Sequence, residues 1–328
     1  MSENTDRLIV NYLPLTDQER QVFAEAAGDV PQEFVGDSKQ RGMMVWNAGV
    51  PAPASMCERA TAVIGNIPPF ECSRYPRLEW LQTWSAGVDR YVADGVLPER
   101  TMVTNATGAY GQSVAEHLFA MMWSLMKNIP VYARQQNERR WHDVGAAFSP
   151  QDATVLVIGT GDIGSHFAGL CKAVGSRTVG VRRDPSKSAN GIDEMHGFDD
   201  LDALLPEADV VALVVPAAAD TYHLIDARRL SSMKSTAVLL NAGRGTAIDP
   251  VALTFALRED QLQGAGIDVT EPEPLPADSP LWDEPHCLIT PHVAGGNHLA
   301  STERRIIAIA LDNVRRYAAG EPLANRRR

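Results

Sequence analysis

Short, uninterrupted apolar runs alternate along this chain with longer stretches of helical period. The runs are Leu8-Ile9-Val10, Ala62 to Asn66, Leu78 to Trp84 and Met102 to Thr104, then Val155 to Ile158, Thr178 to Val181, Asp209 to Val215, Ala237 to Asn241, Gly266 to Val269 and Cys287 to Thr290. Most lack the every-other-residue polarity of a half-exposed strand, so they read as strands buried on both faces of a parallel sheet. Between them, Thr16-Asp17-Gln18-Glu19 forms a capping box, opening a helix that runs to about Ala27 and stops at Gly28. Gly108 to Lys127 is a long helix dense in Met, Leu, Phe and Trp, expected to be core that bridges two domains. A polar helical segment follows, with the run Gln135 to Arg140. Asp249 caps a helix from Pro250 to Arg258, and residues 301 to 319 form a last amphipathic helix. The proline-rich run Glu271 to Pro280 is too rigid for a helix and reads as an ordered loop. Trp141, in a polar and irregular stretch, is expected to anchor packing; the alternative is an arm that reaches across a dimer.

One segment has more than a pattern. Thr154 to Arg183 reads strand, glycine turn, helix, strand, which is a complete βαβ unit. Its turn is Gly159-Thr160-Gly161-Asp162-Ile163-Gly164. Gly159 permits a tight turn off the strand, Gly161 lets a pyrophosphate approach the backbone, and Gly164 lets the helix pack closely on the sheet. The helix N-terminus presents unpaired N–H groups and a positive dipole end to the phosphates. Dinucleotide binding is therefore expected here. Gly65 and Gly87 also fall at the C-terminal ends of strands, where their turns could offer N–H groups to an anion. From spacing alone, ordinary tight turns are an equally good reading.

Composition narrows the partners. A chain of 328 residues suggests about two domains, and its formal charge of −11 argues against nucleic acid. Arg326-Arg327-Arg328 is too small for a basic patch and reads as a solvated tail. The N-terminal residues lack the regions of a signal peptide, and no stretch approaches a membrane span, so no membrane partner is expected. Cys57, Cys72, Cys171 and Cys287 show no paired spacing; reduced thiols in a cytoplasmic protein are expected, and no metal.

Polar groups gather where the later strands end. Arg244 follows one strand, Asp268 sits in another with Glu273 shortly after, and His292 ends a third. An arginine can clamp a carboxylate with two parallel hydrogen bonds. A histidine can pass a proton near neutral pH, and a carboxylate beside it fixes its tautomer. Beside a nicotinamide, these three suit reduction of a 2-keto acid, with the hydride going to carbon and the histidine's proton to oxygen. Singly, each has an ordinary structural role open to it.

The motifs GTGDIG, NAGRG, DVTEPEPLP and ITPHVAG, in this order and spacing, resemble the D-isomer-specific 2-hydroxyacid dehydrogenase family over nearly the whole chain. The resemblance implies two Rossmann-like or flavodoxin-like doubly wound parallel-sheet α/β domains separated by a cleft. Residues 1–104 plus 295–328 would bind substrate, and 105–294 would bind the dinucleotide. A homodimer built largely through the nucleotide domains is also implied. Carried over by position, Arg244 binds the substrate carboxylate or carbonyl, His292 donates the proton and Glu273 tunes it. Asp268 would hold the nicotinamide carboxamide, while Val215, Pro216, Asn241, Ala242, Gly243 and Gly295 would line the cofactor with the glycine turn. Ala86-Gly87-Val88 would bind the substrate carboxylate through backbone amides, with Asn66 and Ile67 facing the substrate.

Two departures stand out. Where NAD-preferring members place an acidic residue for the ribose, this chain has Arg182 and Arg183, which predicts NADP(H) preferred and NAD(H) also used. The alternative is that both arginines are solvated and Asp184 takes the ribose. The segment Gly296-Asn297-His298 differs as well, with no role assigned. A rival function is a nucleotide-sensing binding protein, like corepressor relatives of the family.

Overall fold

The apolar runs become parallel strands: Leu78 to Trp84 is trimmed to Trp80–Gln82, Met102 to Thr104 keeps its bounds, and Gly266 to Val269 shifts to Gly264–Ile267. The computed structural model describes residues 6–43, 46 and 52–328, which fall into two units: Met1–Tyr110 with Gly296–Arg328, and Gly111–Gly295.

The first unit contains β1 (Ile9–Asn11), α1 (Asp17–Ala27), β2 (Gln32–Phe34), α2 (Ala54–Arg59), β3 (Ala62–Ile64), β4 (Trp80–Gln82), α3 (Asp89–Val92) and β5 (Met102–Thr104). Its sheet is parallel with order β2-β1-β3-β4-β5. The chain reverses direction of growth between β1 and β3, the point where open sheets bind ligands. Val10, Val63, Leu81 and Val103 bury one face of this sheet. The capping box is present at α1: Glu19 N–H donates to Thr16 Oγ1 at 3.3 Å, and Thr16 N–H to Glu19 Oε2 at 2.8 Å. Gly28, at φ 56°, ends that helix.

The second unit opens with α4 (Gly111–Met126) and α5 (Ile129–Asn137). The βαβ core follows as β6 (Thr154–Ile158), α6 (Asp162–Ala173) and β7 (Arg177–Val181). Then come β8 (Glu194–His196), α7 (Leu201–Leu204), β9 (Val210–Leu213), α8 (Ala227–Ser232) and β10 (Val238–Asn241). The unit closes with α9 (Pro250–Arg258), β11 (Gly264–Ile267) and β12 (Cys287–Ile289). Its seven strands are parallel in the order β12-β11-β10-β9-β6-β7-β8. Here the switch lies between β6 and β9, paired with Leu156 opposite Val211. Val155, Leu156, Val157 and Ile158 are all buried, as their unbroken apolar run requires.

The last helix, α10 (Ala300–Ala319), belongs to the first unit and packs on α1. Beyond it, the three terminal arginines depart from the solvated tail expected of them. Arg327 N–H donates to Val103 O at 2.8 Å, Asn105 N–H reaches Asn325 O at 3.3 Å, and Arg326 pairs antiparallel with Thr104. The segment therefore covers the free edge of β5, satisfying polar groups that an edge strand otherwise leaves open. Trp141 also departs from expectation: it is fully exposed and anchors nothing in its own unit.

Replacing Arg327 with proline removes the shorter of the two N–H bonds to the Val103 carbonyl, leaving that from Arg328 at 3.5 Å. We expect Arg327→Pro to lower stability by about 1 kcal/mol, read as a drop in the urea midpoint with an unchanged slope.

Candidate active site

The glycine turn has the geometry that its sequence demands. Gly159 has φ 99°, and a Cβ on it would sit 2.7 Å from Val214 O. A Cβ on Gly164 would lie 2.1 Å from Gly159 O, so only glycine lets α6 pack against the end of β6. At Gly161 a Cβ would meet nothing within 4 Å. That open approach, at the first amides of α6, suits a pyrophosphate. Thr160 is buried, with its hydroxyl turned to Met195. Asp162 and Ile163 lie in the first turn of α6.

Arg244, Asp268 and His292 follow β10, β11 and β12, three neighbouring strands, on the same C-terminal edge as Gly159. His292 Nδ1 lies 2.6 Å from Glu273 Oε1, so the carboxylate accepts the ring's Nδ1 bond and leaves Nε2 for other chemistry. His292 has φ 53°, uncommon for a residue with a Cβ and found where surrounding structure enforces it.

The enforcing group is Asp268. It lies just past β11 rather than inside a strand, and it is buried. Its Oδ1 accepts from Thr290 Oγ1 at 2.6 Å and Val293 N–H at 2.9 Å, and its Oδ2 from Ala294 N–H at 3.1 Å. The Asp268 carbonyl takes His292 N–H at 2.8 Å. Because Thr290 has a single proton, already given to Asp268, its oxygen accepts from His117 Nε2 at 3.0 Å. Sequence pattern alone singles out neither His117 nor Thr290. The available signal is a histidine between Val114 and Met121, on the core-facing side of α4.

Asn241 is buried and folds the Arg244 turn: its Oδ1 accepts from Gly243 N–H at 3.0 Å, and its Nδ2 donates to Arg244 O at 2.9 Å. Arg244 donates from Nη1 to Gly243 O at 2.7 Å. A Cβ on Gly245 would lie 1.9 Å from Thr270 O, so this turn is pressed against the loop carrying Glu273. Val215 is buried behind it, against Gly243, with Pro216 next in the chain and exposed. Ala242 N–H bonds Leu213 O at 3.2 Å, and Gly295 ends the unit.

At the nucleotide end, Arg183 forms a two-bond ion pair with Asp220, Nε–Oδ2 3.0 Å and Nη2–Oδ1 2.9 Å. Arg182 donates to Lys187 O at 3.2 Å. Asp184 is engaged with its own loop, accepting from Ser186 Oγ at 2.6 Å and facing Lys187 Nζ at 3.4 Å.

In the first unit, the turn after β4 bears on the two readings left open for it. The Ser85 carbonyl accepts from Thr83 Oγ1 at 3.0 Å, and that of Gly87 from Ser85 Oγ at 2.8 Å. Asn105 Nδ2 donates to the Ala86 carbonyl. In a trans peptide the N–H points opposite its carbonyl, so the amides of Ala86, Gly87 and Val88 face away from these donors. Asn66 braces the turn, accepting from Trp84 N–H at 3.1 Å and donating to Ser85 Oγ at 3.2 Å. Ile67 is buried and offers its carbonyl to Tyr91. Of the unassigned trio, Asn297 is buried and His298 Nδ1 lies 3.1 Å from Gly42 O.

A parallel sheet with this glycine turn, and an imidazole–carboxylate pair on the same strand edge, defines the class of dinucleotide-binding α/β oxidoreductases. The sequence profile of the D-isomer specific 2-hydroxyacid dehydrogenase NAD binding domain matches residues 119–294. The glyoxylate/hydroxypyruvate reductase B of Pectobacterium carotovorum is 32% identical over 256 residues, 76% of this chain and 79% of that one. A D-isomer specific 2-hydroxyacid dehydrogenase family protein from Aeromonas salmonicida superposes with TM-score 0.81 at 29% identity, covering 98% of this chain and 99% of that one. The enzyme of the same description from Xanthobacter autotrophicus Py2, in complex with NADPH and MES, gives 0.78 at 28% identity, covering 98% of each. The chain belongs to the D-isomer specific 2-hydroxyacid dehydrogenase family.

If Asp268 is the knot that holds the end of β12, Asp268→Asn places an N–H₂ against backbone donors. We expect a loss of about 1–3 kcal/mol in urea unfolding, with faster hydrogen exchange at Val293 and Ala294.

Proposed function

We propose that this chain reduces a 2-keto acid to the D-2-hydroxy acid, preferring NADP(H) and also accepting NAD(H), on substrates of the glyoxylate or hydroxypyruvate kind or bulkier. The contact that carries the reading is the 2.6 Å pair of His292 and Glu273 on the strand edge that bears the glycine turn. When bound, the reduced nicotinamide supplies the hydride for the keto carbon. His292 donates its Nε2 proton to the carbonyl oxygen, and Glu273 holds the ring through Nδ1 as charge changes on it. Arg244 orients the substrate's carboxylate and carbonyl. The amides of Ala86, Gly87 and Val88 receive the carboxylate. Thr160, Gly161, Asp162 and Ile163 line the pyrophosphate, and Val215, Pro216 and Ala242 to Gly243 line the rest of the cofactor. Asp268 reaches the nicotinamide carboxamide from the strand end it organises.

The NADP(H) preference rests on Arg182 and Arg183, and is supported by Asp184, whose carboxylate already accepts from Ser186 and faces Lys187. All four cysteines are free thiols, which supports a cytoplasmic setting. No helix among the described residues is long and apolar enough to cross a membrane. We place the homodimer interface on the second unit, where exposed Trp141 and Ile129 are candidates for burial by a second copy.

Three measurements test these readings: turnover, cofactor binding and sedimentation. NADPH mixed with a panel of 2-keto acids should lose absorbance, with kcat/KM higher than with NADH, and His292→Ala should cut kcat about 10²- to 10⁴-fold at unchanged NADPH affinity. Binding of NADPH with silence across the panel would instead favour a nucleotide sensor. Trp141→Glu should shift the sedimenting species from dimer toward monomer.

A further inference from the structure

In the second unit, Arg183 lies just past β7 and Asp220 on the turn after β9, and these two strands flank β6. Their ion pair therefore spans the end of the strand from which the glycine turn departs. It is a two-bond contact: the Nε and Nη2 edge of the guanidinium faces both carboxylate oxygens. A phosphate would use that same edge. Asp220 is held in place by its neighbour, since Thr221 Oγ1 donates to Pro216 O at 2.8 Å and accepts from Ala218 N–H at 3.0 Å. Arg182 differs: its hydrogen bonds go to carbonyl groups, such as Lys187 O, which carry no formal charge.

We propose that Asp220 is a specificity-determining counter-charge, which occupies Arg183 and reduces the advantage of a 2′-phosphate over a 2′-hydroxyl. The inference rests on the reading that this unit binds NADP(H). A 2′-phosphate must displace the carboxylate from Arg183 and then sit beside it, and both effects weaken binding. A 2′-hydroxyl bears neither cost. Asp220 thus narrows the margin of NADP(H) over NAD(H) without itself strengthening the binding of NAD(H). Both partners are exposed, so the effect is modest and sensitive to salt.

The probes are 2′,5′-ADP and 5′-AMP, titrated calorimetrically into the full chain, alongside NADP⁺ and NAD⁺. Asp220→Asn should tighten 2′,5′-ADP and NADP⁺ about three- to tenfold at low salt, with 5′-AMP and NAD⁺ changing less than about twofold. High salt should shrink that gain, and an Arg183→Ala background should remove most of it. Unchanged or weaker 2′,5′-ADP binding by Asp220→Asn overturns the proposal, as does an equal gain without Arg183. If the parent chain binds neither NADP⁺ nor NAD⁺, the cofactor reading itself fails and takes this inference with it.

Discussion

The candidate chemistry depends on one buried carboxylate. β12 is an edge strand of three residues, each only half-buried, with little packing to fix the backbone at its end. Yet the chain there must turn through a left-handed residue, His292, and present an imidazole in a set direction. Asp268 supplies the restraint from the neighbouring strand, binding His292 N–H with its carbonyl and two further amides with its side chain. A carboxylate accepting several bonds in a buried place is costly to leave unpaired, so the arrangement is close to all-or-none. The strain at His292 and the satisfaction of Asp268 are two sides of one local structure.

Much of this was legible because it follows from local rules. The glycine turn, the capping box before α1 and the Asp249 cap of α9, which accepts from Val251 and Ala252, are each set by a few consecutive residues. The missed elements owe their form to distant partners. β2 (Gln-Glu-Phe) and β8 (Glu-Met-His) have no apolar run because they are edge strands, recruited by β1 and β7. The terminal arginines look like a solvated tail until the unsatisfied edge of β5 is known. His117 in a core helix gains its meaning from Thr290 and Asp268, far along the chain. Trp141 reads as an anchor by residue type alone, and its exposure is a tertiary fact.

The nucleotide end shows the same division between residue identity and residue partnership. Two consecutive arginines announce positive charge, and a sequence can go no further. In the fold they diverge. Arg182 ties down the carbonyls of its own loop, while Arg183 crosses to the loop after β9. The Arg183 guanidinium holds the Asp220 carboxyl below the usual carboxylate range, so the two face solvent as a neutral pair at neutral pH. The positive potential available to an anion is then smaller than the count of arginines suggests.

Glu273 is positioned by more than its own histidine. The same short loop carries Glu271, which meets His223 Nε2 at 3.0 Å, so two carboxylates with one residue between them each engage an imidazole. Thr270 anchors the loop's start, donating from Oγ1 to Pro272 O at 2.8 Å, and its own carbonyl abuts Gly245 beside Arg244. His223 in turn donates its N–H to Thr246 O at 2.7 Å, joining the loop to the far side of the same Arg244 turn. The guanidinium's turn and the carboxylate's loop are therefore braced against a common third segment. Each strand end alone would leave its side chain free to swing. Tied together, they fix the geometry before any ligand arrives, as preorganised electrostatic stabilisation requires.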